Sequence, residues 1–86
     1  MAVSVVVYST TICPYCVRAK QLLKQKGVQY EDINLDKHPE LRSDVMKRSG
    51  RRTVPQIWVG DTHVGGFDEL WALDRAGKLD PMLKGA

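Results

Sequence analysis

The sequence contains no long hydrophobic run: the stretch Val5 to Tyr8 is far too short to cross a bilayer. The residues after Met1 lack the basic and apolar regions of a secretory signal, so the cytoplasm is the expected compartment and no membrane partner is expected. Histidine is scarce. His38 and His63 are too widely spaced to complete a finger-like zinc site with the cysteines, and no metal site is expected. No linker-like composition and no internal repeat divides the chain, and 86 residues suffice for one core, so residues 1–86 read as a single domain. Charge of one sign is not concentrated either. Thirteen basic against ten acidic residues leave +3, a mild preference for anionic partners. The basic cluster Lys47-Arg48 and Arg51-Arg52 has no interleaved aromatics on which bases would stack, so nucleic acid is not an expected partner. Cysteine is the most telling scarcity: there are two, Cys13 and Cys16. A pair this close closes almost no loop and so constrains the unfolded chain little, which makes its role chemical rather than architectural.

The rest of the chain alternates strand and helix signals. Val3 to Tyr8 is an uninterrupted apolar stretch after Ser4, which predicts a central strand buried on both faces. After the polar connection Ser9 to Ile12, Cys16, Ala19 and Leu22 or Leu23 recur at helical spacing from Pro14 onward, and Gly27 ends the helix. Val28 to Leu35 predicts a second strand, joined to the first by a right-handed parallel crossover. Pro39 opens a second helix to about Ser49, with Leu41, Val45 and Met46 as its buried stripe. Pro55 to Val59 and Thr62 to Val64 predict a hairpin, and Asp68 begins a third helix with Leu70, Trp71 and Leu73 inward. The order is β-α-β-α-β-β-α, an α/β fold with one mixed sheet.

A thiol attacks a disulfide only as its thiolate, so a catalytic cysteine needs a depressed pKa and an exposed sulfur. Cys13 falls at the start of the first helix, where unpaired N–H groups and the helix dipole favour an anion. Cys16 lies one turn further in on the same face, a position for a buried resolving thiol. These constraints make Cys13 the nucleophile and Cys16 the residue that resolves its mixed disulfide.

The strand, then Cys13-Pro14-Tyr15-Cys16, then Thr53-Val54-Pro55, then Gly65-Gly66-Phe67-Asp68, resembles a dithiol glutaredoxin of the CPYC type along nearly the whole chain. The resemblance implies a thioredoxin-like fold with a four-stranded mixed sheet and helices on both faces. It implies glutathione as the reducing co-substrate and no permanently bound cofactor. It also implies a cis peptide at Val54-Pro55, which turns the Val54 backbone toward an extended peptide such as the cysteinyl part of glutathione. Gly65-Gly66 would let the chain approach a ligand closely before the third helix, whose first N–H groups would hold the γ-glutamyl carboxylate, with Gly66 and Phe67 among the binding residues; Asp68 would meet the ammonium while also capping the helix. Tyr15 would wall the groove beside Thr53. Where many relatives carry lysine, three residues before the nucleophile, this chain has Thr10. Arg42, Arg51 or Arg52 would then take the glycyl carboxylate, with Arg42 the family-equivalent residue.

The activity implied is reduction of disulfide-bonded and glutathionylated proteins by a monomer. Two alternatives stand beside it. One is a [2Fe–2S] carrier using Cys13 and glutathione from two chains, which the stiff Pro14 disfavours. The other is a redoxin that donates electrons to ribonucleotide reductase.

Overall fold

In the computed structural model, residues 4–84 are described, so the expected strand residue Val3 lies outside them. The elements are β1 (Val5–Ser9), α1 (Pro14–Gln25), β2 (Glu31–Asn34), a 3-10 turn (Pro39–Leu41), α2 (Arg42–Ser49), β3 (Gln56–Val59), β4 (Thr62–Gly65), α3 (Phe67–Arg75) and α4 (Leu79–Leu83). The sheet order is β2-β1-β3-β4, with β1 parallel to β2 and antiparallel to β3, and β3 antiparallel to β4. This is the expected mixed four-stranded sheet with β1 at its centre.

Side chains alternate across the strands, so the sheet carries a core on each face. Val5, Val7, Ile57 and Val59 point to one side, against Ala19 and Leu23 of α1, Leu70 of α3 and Leu79 and Leu83 of α4. Tyr8 and Trp58 point to the other, with Leu35 and with Val45 of α2. Fully buried side chains such as Leu23, Ile57 and Leu70 each contribute roughly 1.5–3 kcal/mol of transfer free energy. The same alternation that builds both cores brings α1 and α3 together on one face, and their N-termini carry the candidate site.

Five expectations are corrected. Pro39 opens a 3-10 turn rather than the second helix, and α2 itself starts at Arg42. β2 is shorter than Val28 to Leu35, because the residues after α1 are occupied in ending that helix. Gly27 adopts φ +72°, its N–H donates to Lys24 O, and the Val28 N–H donates to Leu23 O at 3.3 Å, so Val28 has no donor left for a ladder. Met46 and Trp71 are exposed rather than inward. Each follows a buried residue, Val45 or Leu70, by one position, and that step of about 100° turns it off the apolar stripe. α3 begins at Phe67, one residue before Asp68, with Gly66 as its N-cap. Finally, α4 is an added helix. Its Leu79 and Leu83 lie four apart on the core side, and Pro81 is tolerated in the first turn. Lys26 at the end of α1 fastens it, pairing with Asp74 of α3 and with Asp80 of α4.

Candidate active site

β1 delivers the chain to a short connection held by Asp36, whose Oδ2 accepts the Thr11 N–H at 2.9 Å and whose Oδ1 accepts from Arg42 at 2.7 Å. These two bonds, the Thr11 N–H first, hold the Asp36 carboxyl below its ordinary range. Cys13 follows as the N-cap of α1, extended at φ −153°, with Pro14 next in the helix. Its Sγ accepts the Cys16 N–H at 3.1 Å and its carbonyl accepts the Val17 N–H at 3.2 Å. The sulfur therefore sits where a helix start stabilises negative charge, and no acidic residue occupies the first turn.

Cys13 and Cys16 are joined as a disulfide with Cα atoms 5.2 Å apart. Their exposures differ sharply: Cys13 is half-buried, whereas Cys16 is 1% exposed. Cys13 Sγ also lies 3.8 Å from Val54 O. In the disulfide this is a contact without a proton; only the reduced thiol has one to donate.

Beside this sulfur opens a cleft of about 250 Å³. Its walls bring together Tyr15, Thr53, Val54, Pro55, Gly66, Phe67 and Asp68, all anticipated from the motifs, with Arg51 and Glu69. The Val54-Pro55 peptide is cis, in agreement with the family resemblance. Tyr15 is 54% exposed and leans toward Phe67, with ring centroids 6.3 Å apart, while the Arg18 guanidinium lies 5.4 Å from the Tyr15 ring centre.

The far wall is the N-terminus of α3. Glu69 accepts the Gly66 N–H through Oε1 at 2.8 Å and pairs with Arg51. The Gly66 bond first and the Arg51 charge second hold the Glu69 carboxyl below its ordinary value. Asp68 is not the cap, so its exposed carboxylate stands free of that duty. The Phe67 and Asp68 N–H groups lie in the first turn, where an α-helix supplies no acceptor. Gly65 has φ +116°, a conformation strained for any other residue, and a Cβ there would lie 2.5 Å from Glu69 Oε1 and displace that carboxylate.

Arg42 does not line the cleft. It pairs with Asp36 and reaches only a small adjoining cavity, whose walls share Arg51, Thr53 and Val54 with the cleft. Thr10 makes a local contact of 3.5 Å to Ile12 O. Glu69 was missed in the sequence. Its signal was the Gly66-x-x-Glu69 spacing of a capping box, which glycine at the cap position hides.

Comparison with known proteins agrees with this architecture. The glutaredoxin family model matches residues 5–64. The chain is 60% identical over 79 residues to a glutaredoxin of Pseudomonas aeruginosa, covering 92% of this chain and 94% of that protein. It is 49% identical over 81 residues to glutaredoxin 3 of Escherichia coli, covering 94% and 98%. Among solved structures, the buckwheat glutaredoxin–glutathione complex superposes with a TM-score of 0.91 at 38% identity, over 96% of this chain and 78% of that one. The solution structure of glutaredoxin from Brucella melitensis gives 0.86 at 51% identity, over 96% and 90%. A half-buried cysteine at a helix start, linked to a fully buried partner one turn on and beside a cis-proline cleft, thus comes with close sequence and structural kinship, and the chain belongs to the glutaredoxin family of thiol–disulfide oxidoreductases.

Proposed function

We propose that the cleft holds glutathione, or the glutathionyl part of a mixed disulfide, with its sulfur against Cys13. The supporting observation is the half-buried Cys13, its sulfur 3.8 Å from Val54 O, beside a cleft with backbone groups on one wall and an open helix start on the other. Val54 would pair through its backbone with the cysteinyl unit, flanked by Thr53 and Pro55. The first-turn N–H groups of Phe67 and Asp68 would receive the γ-glutamyl carboxylate, and the Asp68 carboxylate its ammonium. Tyr15 would cover the groove. Of the arginines, Arg51 is the better placed for the glycyl carboxylate, with Arg42 one cavity away.

With a glutathionylated protein, the Cys13 thiolate attacks the glutathionyl sulfur and the protein leaves as thiolate. A second glutathione thiolate then attacks that glutathionyl sulfur, forming glutathione disulfide and restoring the Cys13 thiolate. With a protein disulfide, Cys13 forms a mixed disulfide and releases one substrate thiolate. Cys16 then attacks the Cys13 sulfur, releases the second, and leaves the Cys13–Cys16 disulfide for two glutathiones to reduce. Such a cycle runs toward reduction only where glutathione is kept reduced, which favours the cytoplasm. A monomer accepting proteins such as ribonucleotide reductase fits this scheme.

The test is a glutathione-coupled assay on the native chain, Cys13→Ser and Cys16→Ser. Cys13→Ser is expected to abolish both reactions, and Cys16→Ser to retain deglutathionylation while losing protein-disulfide reduction. Equal loss of both reactions in Cys16→Ser would overturn the division of roles.

A further inference from the structure

Two polar side chains are fully buried among the described residues, Ser9 and Gln56, and Gln56 is the larger, at 0% exposure. An amide so deep is costly unless each of its polar groups is paired. Gln56 Nε2 donates to Thr53 O at 2.9 Å and to Thr53 Oγ1 at 3.3 Å. Gln56 Oε1 lies 2.7 Å from His63 Nε2 on β4. The directions follow from the chemistry. A backbone carbonyl only accepts, so the amide nitrogen must face Thr53; the amide oxygen is left for His63, which must therefore donate from Nε2. His63 is held in place by the Trp58 ring, with centroids 4.6 Å apart. Burial, with Arg51 and Arg48 nearby and against the opposing pull of Glu69, keeps it toward its neutral form.

We propose that Gln56 is a positioning residue for substrate: oriented by His63, it fixes Thr53 and with it the Val54 backbone beside the Cys13 sulfur. Residues 50–55 lie outside both helix and strand, so the sheet ladder does not hold them. The buried amide replaces that ladder with two hydrogen bonds from the first residue of β3. Because Thr53 Oγ1 accepts from Gln56, the Thr53 hydroxyl proton is directed elsewhere and is available to a ligand on the exposed side. The chain His63–Gln56–Thr53 thus joins the β3–β4 hairpin to the cleft without touching the cysteines.

This inference rests on the reading of the cleft as the glutathionyl site. The experiment measures kcat and KM for a glutathionylated peptide with the native chain, Gln56→Leu, His63→Phe and His63→Gln. It also measures the rate at which iodoacetamide alkylates Cys13, which needs no bound peptide. Gln56→Leu is expected to raise KM about five- to tenfold, with kcat within twofold and alkylation unchanged, in line with the loss of directed hydrogen bonds. His63→Phe keeps a ring against Trp58 but removes the donor, and KM should rise about threefold. His63→Gln restores a donor and should return KM to near the native value. An unchanged KM in Gln56→Leu, or equal KM values for His63→Phe and His63→Gln, would overturn the positioning role. If Gln56→Leu does not fold, the two His63 variants decide. A native chain that shows no saturation with the glutathionylated peptide would instead sink the reading of the cleft itself.

Discussion

Glu69 illustrates how much one side chain at the cleft is asked to do. It accepts the Gly66 N–H, pairs with Arg51, and packs its carboxylate against Gly65. Its carboxyl is held below the ordinary value of 4.5, so the charged form is favoured by folding. That contribution is fully present above about pH 4.5 and is lost as pH falls through the depressed value. Glu69→Gln should therefore lose about 0.5–1 kcal/mol at pH 7, a modest effect because the pair is partly solvated. Urea unfolding at pH 7 and pH 3 should show the gap to the native chain closing at the lower pH. A gap that stays constant would mean that the charge of Glu69 is not what matters. Arg51 is the second residue to test. Arg51→Ala should raise the KM for glutathione several-fold, and Arg42→Ala, whose guanidinium is engaged by Asp36, should raise it less. Steady-state kinetics of the two variants would rank them, and the reverse order would return the carboxylate role to Arg42.

At the level of elements, periodicity and punctuation made most of the fold readable. β1, α1, the hairpin and α3 were all visible, as were Gly27 as a stop and Pro14 as a start. The failures have physical causes. The apolar stripes expected for α2 and α3 run one residue too wide at Met46 and Trp71, since an apolar residue next to the stripe looks the same in sequence as one within it. α4 was missed because five residues containing a proline carry almost no helical propensity of their own; tertiary burial of Leu79 and Leu83 forms it. Leu79→Ala should accordingly cost about 2–4 kcal/mol in urea unfolding and leave kcat/KM at 25 °C unchanged. The cysteine motif and the glycines of the site were plain from their spacing. The Gln56–His63 link was not, because a glutamine inside an apolar strand announces burial without naming its partner.

For the molecule as a whole the net charge of +3 is small, and the one basic cluster lies next to the cleft. Lys47, Arg48, Arg51 and Arg52 follow one another from the end of α2 into the loop, and Arg51 reaches the cleft wall. Attraction of this kind is screened over about 10 Å at 0.1 M salt. The kcat/KM for a glutathionylated peptide of acidic sequence should fall with added salt, while that for a basic peptide should change little or rise. Stopped-flow measurement across a salt series would check it, and identical salt dependence for the two peptides would remove any steering role.

The unequal burial of the two cysteines has a kinetic corollary. Cys13 is half-buried, whereas Cys16 is sealed on the inner face of α1, so only Cys13 is within reach of a partner. In the proposed cycle the oxidising and reducing partners would consequently take turns at the one mixed disulfide that Cys13 forms. The proposed cycle would therefore be ping-pong, with the two partners excluding one another from the cleft and initial-velocity plots against each expected to run parallel.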